Sequence, residues 1–268
     1  MELPRNAYFT GEIVEGAVVV ETTREVPSNG LALDILGREA TEITRGSGDD
    51  RRTYRSSQDQ LAWRMPLRGP GPLPPGLHRF PFRFQVPFKA LPSYAGTHAN
   101  VSYTLNARLD VPLWLDTVWT GEMFVFYDRP SVRHVARPVR FRSGGGGPEV
   151  YVELDGDRFF ARELIGCRIT LLRLGGARVR RVFVRLLGQE WARADGQEET
   201  SETFRHEVVV PMEAIRVGMP FEFDIPIPGE VSSSYRGALS YHTYALQVHL
   251  DIAWATDIVA QTPIVIVR

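Results

Sequence analysis

Cysteine, lysine and helix-forming segments are almost missing from this chain of 268 residues. Cys167 is its only cysteine. An intramolecular disulfide is therefore impossible, and so is any zinc or iron–sulfur site built on several thiolates. A lone thiol suits a reducing cytoplasm. Lys89 is the only lysine, so nearly all positive charge is arginine. The 31 basic side chains stand against 32 acidic ones, which removes the strongest cue for nucleic acid as a partner. No stretch approaches the roughly 20 apolar residues of a membrane-spanning helix. The opening Met1-Glu2-Leu3-Pro4-Arg5 leads into no apolar signal-peptide core, and a cytoplasmic protein is expected. Catalytic and cofactor signatures are missing too. There is no Gly-x-Ser-x-Gly elbow, no His-Glu-x-x-His helix and no Rossmann glycine pattern. Gly144 to Gly147 lack the lysine of a phosphate-binding loop. His242 and His249 differ by an odd number, so one regular strand points them to opposite faces. No catalytic residue, metal site or cofactor is expected.

What the chain does have is turn punctuation and internal repetition. Its 24 glycines and 19 prolines are spread along the whole length, as in an all-β protein. Ser93-Tyr94-Ala95-Gly96, Val101-Ser102-Tyr103-Thr104-Leu105-Asn106-Ala107-Arg108-Leu109-Asp110 and Asp116 recur without a gap. The second copies are Ser234-Tyr235-Arg236-Gly237, His242-Thr243-Tyr244-Ala245-Leu246-Gln247-Val248-His249-Leu250-Asp251 and Asp257. Leu31 to Glu39 recurs as Val182 to Glu190, and Phe82-Arg83-Phe84-Gln85-Val86-Pro87 is read as recurring in Phe221 to Pro226. Gly16 is paired with Gly166. The blocks keep their order, which points to duplication. Two domains follow, residues 1–130 and 149–268, joined by a basic, glycine-rich linker over 131–148.

Alternation makes each block a strand. Val101, Tyr103, Leu105, Ala107 and Leu109 face one way, with Ser102, Thr104, Asn106, Arg108 and Asp110 opposite. In the second copy Tyr244, Leu246, Val248, Leu250 and Ile252 face inward, with Thr243, Gln247, His249 and Asp251 outward. Phe80, Phe82, Phe84 and Val86 form a further inward row. The best helical candidate is a short turn around Gln58 to Trp63. A sheet with one apolar face and no helix to cover it packs on another sheet. The fold class is all-β, two tandem immunoglobulin-like β-sandwiches of about seven strands each.

Leu73-Pro74-Pro75-Gly76-Leu77-His78-Arg79-Phe80-Pro81-Phe82-Arg83-Phe84-Gln85-Val86-Pro87, Leu91-Pro92-Ser93-Tyr94 and Val101-Ser102-Tyr103 resemble the N-terminal domain of the arrestin clan. Phe9 to Gly16 and Leu33 to Glu39 resemble strands of that domain, and the second half resembles the arrestin C-terminal domain. The resemblance implies two β-sandwiches meeting across a concave interface, binding other proteins without enzymatic activity. Paired lysines after the first strand and a proline-proline-x-tyrosine motif are not found. This suggests a minimal member, of the bacterial sporulation-control or retromer-subunit kind.

Function is then expected on the surface. The resemblance makes the loop after the Gly37–Glu39 strand a partner-binding element, and Arg51, Arg52, Tyr54 and Arg55 in it are residue types common in interface hot spots. Arg133, Arg137, Arg140 and Arg142 form a basic stretch able to contact anionic lipid or acidic protein. Arg178, Arg180, Arg181 and Arg185 read as stems lying over a sheet. The leading expectation is a protein-binding scaffold. The alternatives are a membrane-surface adaptor using its arginine clusters, and a small-ligand binder or enzyme with an interdomain cavity.

Overall fold

The computed structural model describes residues 1–113, 117–127, 139–143 and 147–268. Asp116, Arg133, Arg137 and residues 144–146, all used above, lie outside them. The chain divides into two compact units. The first is Met1–Asp128 with Ala192–Glu198 and Gly237–Ser240; the second is Arg129–Trp191, Glu199–Arg236 and Tyr241–Arg268. The only helical turns among the described residues are the 3-10 turns Gly48–Asp50 and Met212–Ala214.

The first unit contains β1 (Ala7–Phe9), β2 (Ile13–Thr22), β3 (Gly30–Arg45), β4 (Arg52–Arg68), β5 (Gly76–Gln85), β6 (Tyr94–Ala95), β7 (Ala99–Asp110) and β8 (Thr117–Phe126). A six-stranded sheet runs β1-β8-β7-β3-β4, with β6 on β7, and β2 pairs with β5 in a second sheet. The expected inward rows form the core: Val101, Tyr103, Leu105, Ala107 and Leu109 from one sheet, Val14, Val18, Phe82, Phe84 and Val86 from the other, all buried.

The second unit is built on β9 (Val139–Arg142), β10 (Glu149–Leu154), β11 (Arg158–Phe160), β12 (Leu164–Arg173), β13 (Val179–Ala194), β14 (Gln197–Val210), β15 (Pro220–Pro226), β16 (Tyr235–Arg236), β17 (Ser240–Ile252) and β18 (Ile258–Val267). Its sheets run β11-β18-β17-β13-β14, with β16 on β17, and β15-β12-β10-β9. Both units exceed the expected seven strands because short edge pieces pair as well.

The repeated residues perform the same task twice. Tyr103 donates its hydroxyl to the Leu91 carbonyl at 2.6 Å, and Tyr244 donates to that of Ser232 at 2.9 Å. Ser93 and Ser234 exchange hydrogen bonds with the Val125 and Ile266 backbones. Gly37 leaves room for the Tyr103 ring, which comes 2.5 Å from where a Cβ would stand; Gly188 stands 3.0 Å from the Tyr244 ring in the same way. Each motif therefore ties a loop to its sheet around a buried tyrosine.

Four expectations need correction. Gln58 to Trp63 is part of β4, because its backbone pairs with β3 through Ala62–Leu36 and Gln58–Glu39. Val139–Arg142, assigned to the linker, is strand β9, paired to β10. His249, placed outward, is buried because Phe183 stacks on it at 4.5 Å. The repeat alignment also shifts. Val86 N–H bonds Glu12 O and Ile227 N–H bonds Glu163 O, so Val86 matches Ile227. Gly16 lies opposite Phe82 while Cys167 lies opposite Phe223, so Phe82 matches Phe223 and Gly16 matches Cys167.

Replacing Phe82 with alanine, which empties a site now 5% exposed, should cost about 3–5 kcal/mol. Phe223→Ala should cost less, because that ring is half-buried. Denaturant unfolding checks both, and a loss below about 1 kcal/mol at Phe82 would contradict the assigned face.

Candidate functional site: the first hairpin and its base

Strand β3 sends Leu31, Leu33, Ile35, Glu39, Thr41 and Ile43 to one face, all buried. Glu39 is the charged exception, fully enclosed. Its carboxylate stays there because donors surround it. Oε1 accepts the N–H of Leu239 at 3.1 Å, the N–H of Ser240 at 2.8 Å and the Ser240 hydroxyl at 2.7 Å. Oε2 accepts the Ala238 N–H at 3.0 Å and the Gln60 side-chain amide at 3.1 Å. Successive backbone N–H groups form a concavity for an anion, and here the anion is a side chain. A bulge supplies the amide: the register steps from Gly37–Leu61 to Arg38–Asp59, leaving Gln60 as the extra residue. A Cβ at Gly237 would collide with the Glu39 carboxylate.

Further up the hairpin, Thr41 Oγ1 donates to the Arg193 carbonyl at 2.7 Å, and Ser56 Oγ accepts the Asp195 N–H at 2.9 Å. Arg45 reaches the Glu198 carbonyl at 2.6 Å. All these partners fall in the first compact unit. On the other side, a groove of about 470 Å³ is lined by Arg38, Glu42, Arg55, Ser57, His98 and Asn100.

The tip is where the two copies part. Ala194 is the counterpart of Ile43 in the repeat. Strand β13 ends there in the turn Asp195–Gly196, with φ of 46° and 77°, and β14 begins at Gln197. In the first copy β3 runs on to Arg45, and the chain returns only at Arg52. Arg51, Arg52 and Arg55 are exposed and Tyr54 is half-buried. Arg52 and Tyr54 project from one face of β4, Arg55 from the other. Arg55 Nε pairs with Glu42 at 2.7 Å, both ends well exposed. Among the described residues, Arg51 and Arg52 make no ion pair. The structure thus puts the four residues on one projection but not on one face.

The basic stretch is divided. Arg140 pairs with Glu153 at 3.0 Å and Arg142 with Glu149 at 3.4 Å, across the β9–β10 ladder. Arg133 and Arg137 lie outside the described residues. Cys167 is buried, and burial pushes its thiol up to about 12, far from a reactive thiolate. His242 is buried, with ring hydrogen bonds to Thr203 Oγ1 at 2.8 Å and Ser233 O at 3.2 Å. Glu39 is the functional-looking residue that pattern reading passed over. Its signal was a carboxylate on the apolar parity of a strand, repeated at Glu190, which is also fully buried.

This arrangement defines a class: a protein of two β-sandwich units whose distinctive chemistry lies in surface loops and buried polar clasps. Residues 1–126 match the family "Arrestin (or S-antigen), N-terminal domain", which is what this stretch of the chain is similar to. The chain is 29% identical over 132 residues to "Arrestin domain-containing protein 17" of Caenorhabditis elegans, a match covering 43% of this chain and 30% of that protein. It is 31% identical over 123 residues to "Arrestin domain-containing protein 4" of Mus musculus, covering 40% and 29%. The chain therefore spans less than a third of the length of these curated relatives.

Two outcomes are expected. Glu39→Ala strands several buried donors and should cost about 3–5 kcal/mol. Gly237→Ala should destabilise too, and the double variant should lose less than the sum of the two, as a double-mutant cycle by denaturant unfolding reads out. Separately, burial lowers the His242 pKa below its ordinary 6.5. The unfolded chain then binds the extra proton first, so stability is full above 6.5 and falls as pH drops toward the folded value. The denaturation midpoint should decline between about pH 7 and 5, and His242→Gln should flatten that decline.

Proposed function

We propose that the protein is a non-enzymatic adaptor that holds partner proteins, with the β3–β4 hairpin of its first unit as the contacting element. One observation carries the reading. Two copies of the same hairpin exist, and only the first is extended, with Arg51 and Arg52 exposed at its tip. A projection held rigid at its base by the Glu39 hydrogen bonds presents arginine and tyrosine at low entropic cost. The match of residues 1–126 to the arrestin N-terminal domain family supports protein binding in general. Arg140 and Arg142 already face Glu153 and Glu149, which favours a protein partner over an anionic lipid surface.

A second contact mode has its own support. In the second unit the outer edge of β12 carries β10, paired from Glu149 to Leu154. The corresponding edge of β2 carries one bridge, Glu2 to Ala17, among the described residues. An extended peptide adding beside Val19 to Thr22 would complete the ladder.

Photo-crosslinking tests the main reading. A crosslinking residue at position 51 or 52 should capture a defined protein in the native cell, and one at position 196, on the short turn, should not. Replacing Arg51, Arg52 and Arg55 together with alanine should weaken capture by about tenfold or more. Equal capture from both turns would refute the assignment.

A further inference from the structure

The outer faces of the two large sheets carry inverted charge at corresponding positions. In the first copy Asp34 on β3 lies between two arginines. Arg64 donates Nε and Nη2 to it at 2.7 and 2.9 Å, and this pairing, with Arg108 nearby, holds its carboxyl below the usual range. By the repeat, Arg185 stands where Asp34 does, and His249 where Arg108 does. Arg185 has one acidic partner, Glu207, at 3.1 Å. Its Nε is buried and donates to nothing among the described residues. Its guanidinium lies over the Phe183 ring at 5.3 Å, and Arg181 lies over the same ring at 4.8 Å. Asp251 serves Arg180 at 2.7 Å and stands 3.9 Å from Arg181. His249 stacks on Phe183 at an interplanar angle of 10°. The second copy sets three guanidinium groups, of Arg180, Arg181 and Arg185, against the two carboxylates of Asp251 and Glu207, and leaves the Arg185 Nε without an acceptor among the described residues.

We infer that this face of the second unit binds an acidic segment of a partner protein, one carboxylate seating against Arg185 and Arg181. Several features select that ligand. Arg185 is recessed, its side chain 19% exposed, while Arg181 is 47% exposed. A carboxylate on a side-chain arm can reach such a recess; the headgroup plane of a bilayer cannot follow it into a sheet face. The neighbouring Val259, 41% exposed, offers an apolar contact beside the charged one. A guanidinium flattened on an aromatic ring presents its donors edge-on, the geometry that accepts a carboxylate. The incoming group would compete with Glu207, which already holds one Arg185 nitrogen. The inference rests on the adaptor reading only in taking the partner to be a protein. The hairpin crosslinks and this face use different residues, so either can fail alone.

The test is a titration of the whole chain with a fluorescein-labelled peptide of alternating glutamate and leucine, read by anisotropy at low salt. Binding is expected to weaken about tenfold in Arg185→Gln and in Arg181→Gln, the loss for one charge-assisted hydrogen bond. Glu207→Gln, which frees Arg185, should tighten binding, an effect no purely structural role predicts. Arg64→Gln on the first copy should leave affinity unchanged. Imidazole NMR gives an independent readout. His249 is surrounded by Arg185, Arg205, Glu207 and Asp257, with its pKa lowered by burial and then by Arg185. An acid bound to Arg185 should raise that pKa. The inference is overturned if affinity is the same in all four variants, if Glu207→Gln weakens binding, or if the peptide fails to bind. It is likewise overturned if vesicles of phosphatidylcholine and phosphatidylglycerol are captured through Arg185 while the peptide is not.

Discussion

A sheet with one apolar face and no helix to cover it has to find another sheet, and this constraint governs the whole chain. Each half meets it by closing a second ladder over the large sheet, β2–β5 in one unit and β15-β12-β10-β9 in the other. The closure needs loops that stay close to the sheet edges. Tyr103 and Tyr244 supply this by bringing their hydroxyls to loop carbonyls inside the core. Burial keeps both hydroxyls protonated, so they remain donors. Glycine at 37 and 188 follows as a consequence, because a tyrosine ring occupies the space a side chain would need.

Glu39 shows how the same core tolerates a charge. Among the described residues no cation is paired with it; backbone N–H groups of residues 238–240 and two side chains satisfy it instead. Fixed dipoles of this kind lose no side-chain entropy, and they accept the carboxylate only in one geometry. The result is a specific fastening at the base of the β3–β4 hairpin.

Duplication provides an internal control. Residues that agree between the copies, the serines, tyrosines, glycines and inward aliphatic rows, hold the sandwiches. The differences at the surface include the extended tip of the first hairpin, the extra β9–β10 pair beside β12, and the exchange of Asp34 for Arg185. Surface function is free to diverge because neither copy needs its exterior to fold.

The two-residue period of Val101 to Leu109, and its copy from Tyr244 to Ile252, made the all-β architecture and most of the core legible in the sequence. Local sterics impose that period whatever surrounds the strand. The duplication was legible as well, although the Phe82 block needed the β2–β5 and β12–β15 registers to be aligned correctly, since phenylalanines two apart look alike on one face. The four hairpin residues could be named from sequence, but not that Arg52 and Tyr54 part from Arg55. Glu39, Arg185 and His249 stayed hidden for one physical reason. A buried carboxylate, a half-satisfied guanidinium and a histidine stacked on Phe183 are defined by partners on other strands. Only tertiary packing decides which donor, ring or charge each of them meets.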